Sequence, residues 1–316
     1  MATALSADFE QSTEPYRREL LAHCYRMLGS VQDAEDLLQE TLVRAWRASE
    51  RFDERRASLR TWLYRIATNA CLTALQGRSR RPLPSGLVAA SNDPDQPFVP
   101  GAEVAWLQPF PDTLLGDPAA VTAARGSLRL ALVAAMQHLP PRQRAVLILR
   151  DVLDWPAADV ADALQTTTAA VNSALQRARA TLGEAALVEE AVDESAHRAV
   201  VDRYVAAFES ADVTALSRIV TADALLEMPP MLNWYVGREA YAAFLARVFA
   251  MRGTDWRMVP VGANGQPAVA AYARDGDGVY QRHTLQVFAV SAGLVARNTV
   301  FADPAVFDLF DVPRSL

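Results

Sequence analysis

Leu59-Arg60-Thr61-Trp62-Leu63-Tyr64-Arg65-Ile66-Ala67-Thr68-Asn69 is the stretch on which the reading of this chain turns. Leu63, Ile66, Ala67, Ala70 and Ala74 recur at helical spacing, which predicts a helix from Leu59 to Gln76. Trp62, Arg65 and Asn69 share another face, with Arg60 and Tyr64 near it. Guanidinium groups neutralise phosphates, aromatic rings stack on exposed bases, and an asparagine amide matches a base edge. The same face fits half-buried packing around Trp62 and Tyr64 equally well. From Arg51 to Arg81, eight arginines stand against two acids, Asp53 and Glu54, in a chain whose formal net charge is −6. All the basic side chains are arginine, which suits bidentate contacts to phosphates and bases. An alanine-rich chain without lysine equally fits a GC-rich coding sequence.

Upstream, Thr13–Leu28 reads as an amphipathic helix ending at Gly29, and a second helix runs from Gln32 to Arg47. Ala34, Leu37, Leu38, Thr41 and Ala45 form the apolar stripe of this second helix, while Asp33, Asp36, Gln39, Glu40 and Arg44 lie off it. By itself that polar face is ordinary solvated surface. Downstream, residues 82–118 hold many prolines and no clear period, with five acids and no base between Asn92 and Pro118, so they read as a linker.

Helical spacing returns over 119–183. Leu139-Pro140-Pro141 opens one helix, Ala157–Leu164 forms a short one, and Gln165–Thr168 makes a polar turn with Thr167 or Thr168 as cap. The last helix, Ala169–Leu182, buries Val171, Leu175, Ala178 and Leu182, exposes Asn172, Ser173, Gln176, Arg177 and Arg179, and carries no acid. Such a helix fits a major groove, although a plain helical hairpin in a bundle has the same pattern. After an acidic run, Glu184–Glu194, the pattern becomes a helix through Val220 followed by alternating strands, which predicts a separate α+β domain. Cys24 and Cys71 sit in apolar helical patterns without metal spacing, so buried free thiols in a reducing cytoplasm are expected, with no metal site. No apolar run approaches the ~20 residues of a membrane span. Met1–Glu10 lacks the layout of a signal peptide. A cytoplasmic protein is expected.

Asp33-Ala34-Glu35-Asp36-Leu37-Leu38-Gln39-Glu40-Thr41, followed by Arg44-Ala45-Trp46, resembles the polymerase-binding segment of extracytoplasmic-function (ECF) sigma factors. Leu59–Asn69 looks like their −10 segment, and Leu139–Val146 with Val171–Arg179 look like their region 4. Three motifs in the right order make a specific signal over most of residues 10–183. The resemblance implies a multidomain chain with an all-α sigma region 2 (10–81), an acidic linker (82–118) and a helix-turn-helix sigma region 4 (119–183). An α+β SnoaL-like cone domain (194–316) completes it. It also implies a transcription initiation subunit and not an enzyme, without cofactor. Its partners would be core RNA polymerase, through clamp helices and flap, and promoter DNA.

Residue by residue, the resemblance assigns polymerase contact to Asp36, Gln39, Glu40 and Arg44. The loop Arg51–Ser58 would hold a flipped base. Arg55, Arg56, Ser58, Arg60, Trp62, Tyr64, Arg65 and Asn69 would meet the −10 strand. Thr168, Asn172, Ser173, Gln176, Arg177 and Arg179 would enter the −35 major groove, and the linker would thread near the polymerase active-site channel. Many relatives carry a base where this chain has Asn172 and Ala174, so weaker and less salt-dependent −35 binding is expected.

Met228-Pro229-Pro230, Trp234-Tyr235 and Gly237-Arg238-Glu239 resemble the SnoaL-like branch of the nuclear-transport-factor-two superfamily. With Trp106-Leu107-Gln108-Pro109 in the linker, the fused domain resembles the sigma-G and sigma-J subfamilies. That superfamily includes cyclases and isomerases, so Glu227, Trp234, Tyr235, Tyr272, His283 and Asp303 are the polar candidates for a cone pocket. A lone histidine on a strand is more often structural than catalytic. The relatives imply a regulatory domain that replaces a separate anti-sigma protein. Two other readings stay open: a ligand-responsive DNA-binding regulator that never joins polymerase, and an enzyme working through the cone.

Overall fold

The computed structural model describes residues 9–183 and 194–316, so most of the acidic run Glu184–Glu194 lies outside the described residues. The chain divides into two compact units. One joins the residues up to Arg81 with those from Thr113 onward, and the other joins Pro82–Asp112 with the C-terminal domain.

The helical unit begins with α1 (Arg17–Leu28), α2 (Val31–Ala48) and α3 (Leu59–Ala74). Gly29 closes α1 in the left-handed region, φ 70°, donating to the Tyr25 carbonyl. Ser30 and Ser58 cap α2 and α3 by accepting from the Asp33 and Thr61 amides. Such a cap is worth about 1 kcal/mol. Leu63, Ala67 and Ala70 of the expected stripe are buried with Leu20, Met27, Ala34 and Ala45, whereas Ile66 is half-buried. Cys24 and Cys71 are free and buried; burial and the neighbouring Cys24 push the Cys71 thiol up.

The second half of this unit comprises α4 (Pro118–Leu128), α5 (Leu130–Gln137), α6 (Pro141–Leu147), a wide turn at Ile148–Val152, α7 (Ala157–Ala163) and α8 (Thr168–Leu182). Pro141 occupies the first turn of α6, and Thr167 caps α8. This half is seated on the first through Arg144. Its guanidinium is buried and donates to Gln137 Oε1 (2.7 Å), the carbonyls of Gln137 (3.0 Å) and Leu139 (3.2 Å), and the Met27 carbonyl at the end of α1.

In the other unit, the single helix expected through Val220 is broken. α9 (Glu194–Glu209) ends before Ala211, φ 52°, and Asp212 caps a short α10 (Val213–Ile219). A residue forced to positive φ cannot continue a helix, and Asp212 satisfies the new helix end. Val220 instead opens β1 (Val220–Glu227). There follow β2 (Trp234–Val236), α11 (Arg238–Arg252), β3 (Trp256–Ala263), β4 (Gln266–Arg274), β5 (Tyr280–Ser291), β6 (Leu294–Phe301) and α12 (Pro304–Phe307). The sheet order is β2-β1-β6-β5-β4-β3, with β1 and β6 parallel and the other neighbours antiparallel. Tyr204, Phe208, Tyr241, Phe249, Trp256 and Phe288 fill the space between helices and sheet. The Asn264-Gly265 turn has both residues at positive φ (59° and 66°), as a two-residue hairpin requires.

The linker differs from expectation. Instead of forming a tether in solvent, Pro82–Asp112 is strapped onto the cone. The Asn233 side chain brackets it, accepting from Val99 N (2.7 Å) and donating to the Pro97 carbonyl (3.2 Å). Asn264 Oδ1 accepts from Phe110 N (2.8 Å), and Arg247 donates to the carbonyls of Pro94 (2.5 Å) and Gln96 (2.6 Å). Backbone bonds join Ser91 to Trp234, Gly101 to Pro230 and Leu232 to Val99, each at 2.8 Å. A proline-rich segment has too few N–H groups to pair with itself, so its backbone polar groups find partners on a neighbouring surface. Thr113–Pro118, expected in the linker, belong to the helical unit.

One buried and one half-buried imidazole set a pH dependence. His23 bonds Thr68 Oγ1 at 2.9 Å, and burial, then Arg26, lowers its pKa to about 3. Burial, then Arg252, lowers His283 to about 4. Both stay neutral in the fold but take up protons near pH 6.5 when unfolded. The unfolded state therefore binds more protons, and stability falls as pH drops below about 6.5, by roughly 1.4 kcal/mol per pH unit for each imidazole. Denaturant melts between pH 7.5 and pH 5 should show this decline, and His23→Phe should flatten it.

Candidate nucleic-acid interface

The end of α2, the loop after it and the first turns of α3 line a half-open cavity of about 720 Å³. Arg44, Arg51, Arg56 and Arg65 line it with Phe52, Trp62, Ile66, Asn69, Asp53 and Asp162. Phe52 and Trp62 pack with ring centroids 4.8 Å apart at 34°, giving one wall an aromatic surface. Four guanidinium groups against two carboxylates leave the lining net positive. A space with cationic rims and an aromatic wall suits a nucleotide unit, whose phosphate and base need those two surfaces.

The expected −10 residues fall into two groups. Arg56, Trp62, Arg65 and Asn69 meet at the cavity. The others are used by the fold. Ser58 is the cap of α3. Arg55 pairs with Asp53 at 3.0 Å in an exposed position, which holds the Asp53 carboxyl below its ordinary range. Arg60 makes a bidentate pair with Glu19 (2.8–3.0 Å). Tyr64 is buried, donates to Glu19 (3.2 Å) and packs edge-on against Trp155, so in this structure it presents no face for base stacking. The helical period puts position 64 on the boundary between core and surface, and Glu19 draws its hydroxyl inward. Arg51 and Phe52 lie in the loop that the sequence reading gave to a flipped base, though it did not name them one by one, whereas Ile66 and Asp162 are lining residues it did not place at the site. Arg51 and Phe52 sit in a loop without period, and Asp162 comes from a distant helix.

On α2, Asp36, Gln39, Glu40 and Arg44 are all exposed, with Arg44 paired to Glu40 at 2.6 Å. Val43 and Trp46 of the same helix are 45% and 48% exposed. Large apolar groups beside acids on an open helix face are the composition of a protein-docking surface. On α8, Thr168, Asn172, Ser173, Gln176, Arg177 and Arg179 are exposed as expected, and Val171, Leu175 and Ala178 are buried. Arg179 is held by Asp151 in a bidentate pair (2.7 and 2.9 Å), which fixes its direction on the helix.

The cone candidates do not converge. Glu227 is fully buried, with Arg297 (2.8 Å) and Thr299 (3.3 Å) on one oxygen and the Ser85 hydroxyl (2.8 Å) and amide (3.3 Å) on the other. Trp234 Nε1 donates to the Val88 carbonyl. Tyr235 stacks on Phe244, and burial raises its hydroxyl. Tyr272 donates to the Pro313 carbonyl, His283 meets Trp256 edge-on, and Asp303 caps α12. Through Thr299, Glu227 lies in the row of Val287, four residues along β5 from His283, which is roughly 13 Å of strand. Instead Asn298 Nδ2 lies within hydrogen-bond distance of Tyr204 OH (3.2 Å), Tyr241 OH (3.0 Å) and Gln286 Oε1 (2.9 Å), all buried. Sequence alone gives no signal for that cluster, because its members come from two helices and two strands.

The helical unit therefore carries a cationic cavity with an aromatic wall and an exposed, acid-free helix face, and the other unit is an α+β cone. Comparison with known proteins agrees: residues 13–81 match sigma-70 region 2, residues 129–182 match sigma-70 region 4, and residues 201–298 match the SnoaL-like domain. The chain belongs to the ECF family of RNA polymerase sigma factors. Over 98% of its length it is 51% identical to the ECF RNA polymerase sigma factor SigG of Mycobacterium tuberculosis, covering 85% of that protein. It is 30% identical to SigJ of the same organism over 66% of this chain and 61% of that one. The crystal structure of SigJ has the same fold, with a TM-score of 0.68 at 22% identity, covering 96% of this chain and 99% of that one. No single described helix is long and apolar enough to cross a membrane.

Trp62→Ala removes one wall of the cavity without touching α2. It should weaken open-complex formation about ten-fold, the scale of one lost base–aromatic stack, while leaving core-polymerase affinity unchanged. Permanganate footprinting beside a polymerase pull-down separates the two, and equal losses would mean damage to the fold.

Proposed function

We propose that this sigma factor docks on core RNA polymerase through the outward face of α2, centred on Asp36, Gln39, Glu40 and Arg44 with Val43 and Trp46. In this reading the cavity of Arg44, Arg51, Arg56, Arg65, Phe52 and Trp62 takes the −10 strand, and α8 takes the −35 major groove. The observation that carries it is the cavity itself, where four arginines and an aromatic wall stand beside a capped helix. The acid-free outer face of α8 supports the second contact. The cone acts as a regulator and not as an enzyme. In support, Glu227 and His283 are far apart, and the Glu227 carboxylate is occupied by the fold and the linker. By holding the linker, the cone withdraws from polymerase a segment that region 2 and region 4 share, so a separate anti-sigma protein is not required.

Two experiments test this. Asp36→Arg with Glu40→Arg should lower affinity for core polymerase at least ten-fold, because two reversed charges on a docking face repel where they attracted. Unchanged affinity would count against the docking role. Ser85→Asp places a carboxylate against the buried Glu227 and should free the linker from the cone. Run-off transcription by the reconstituted polymerase should then change in amount; the same output at every promoter would remove the regulatory role.

A further inference from the structure

One residue in the lining of the −10 cavity comes from far along the chain. Asp162, at the end of α7, places its carboxylate 2.8 Å from Arg65 Nη1. The next residue, Ala163, offers its backbone carbonyl to the Asn69 amide at 3.3 Å. Arg65 and Asn69 are one helical turn apart on the cavity side of α3 and are the residues this site would turn toward DNA. An anionic oxygen on the guanidinium and a neutral carbonyl on the carboxamide repeat what a phosphate and a base edge would supply.

The local packing does not call for an acid at 162. Val160, Ala161 and Ala163 fill the buried side of α7, and the Asp162 side chain is 75% exposed. An exposed ion pair shifts an equilibrium by a few-fold at most, so Asp162 does not hold the two halves together. That seat is made by the Tyr64–Trp155 contact and by Arg144 on the Met27 carbonyl. With region 4 so seated, the end of α7 lies where it covers one side of the cavity.

We propose that the Asp162–Ala163 end of α7 is an internal stand-in for single-stranded DNA, which occupies the reading residues of the −10 cavity until region 4 leaves region 2. It makes the two promoter contacts interdependent, since α7 and α8 travel together and the cavity opens when the −35 reader moves away. The proposal rests on the reading of the cavity as a DNA site, and the test separates the two.

The test uses the full-length protein and a fluorescein-labelled, random-sequence single-stranded DNA 12-mer, followed by anisotropy at low salt. Asp162→Ala should bind about three- to five-fold more tightly than the unaltered chain, the range of one exposed ion pair. Asp159→Ala removes another exposed acid one turn earlier on α7 and should produce no such gain. In an Arg65→Ala background the gain from Asp162→Ala should vanish, because its target is gone. The proposal is overturned by unchanged affinity in Asp162→Ala, by an equal gain from Asp159→Ala, or by a gain that persists without Arg65. In each of those cases the cavity still binds DNA. No binding by any variant overturns the DNA reading of the cavity together with the stand-in.

Discussion

The guanidinium of Arg144 lies where the two helical halves meet, and it donates to neutral carbonyl oxygens of Met27, Gln137 and Leu139. Taking such an ion out of water costs several kcal/mol when nothing compensates. Here the acceptors include the Met27 carbonyl in the last turn of α1, where the helix dipole is negative. Burial lowers the Arg144 pKa to about 10, which leaves it charged at neutral pH. Its other acceptors, Gln137 and Leu139, belong to its own half and would stay with it if the halves parted. Only the Met27 carbonyl would need replacing, and water can replace it. At this residue the junction is specific in geometry, and parting the halves there would exchange a single neutral acceptor.

Much of this was legible in the chain. Helical periods, the Gly29 stop, the cap before α8 and the Asn264-Gly265 turn all act over a few residues, and sequence spacing reports such local physics directly. The break at Ala211 was not legible, because the apolar pattern of α9 and α10 runs through it. The position of Tyr64 was left open between packing and base stacking, and it is decided by Glu19, 45 residues away, which draws its hydroxyl inward. The path of the linker was not legible. Its prolines and acids look like those of a solvated tether, and the asparagines that bracket it, Asn233 and Asn264, belong to a domain far along the chain.

In the cone, the polar candidates do not converge on one place. The polar residues that invited comparison with enzymes are spread over the sheet and spent on structure. Glu227 anchors the linker, Tyr272 ties down the C-terminal segment, and His283 is held neutral against Trp256. The inner cluster of Tyr204, Tyr241, Gln286 and Asn298 satisfies most of its own hydrogen bonds, and burial raises both phenols, Tyr241 to about 12. Neutral hydroxyls bonded to one another are poor proton carriers at physiological pH.

The strapped linker also limits distance. Drawn out, the 31 residues Pro82–Asp112 span at most about 105 Å. Elements named for positions −10 and −35 are about 25 base pairs apart, roughly 85 Å of duplex. The contour of the released segment is thus sufficient for its two ends to follow that separation, with little to spare. Along the cone the same contour is taken up by bonds to Trp234, Asn233, Pro230 and Asn264. The strap therefore stores length: while it is held, the span between its two ends is set by the surface of the cone and not by the contour of the segment.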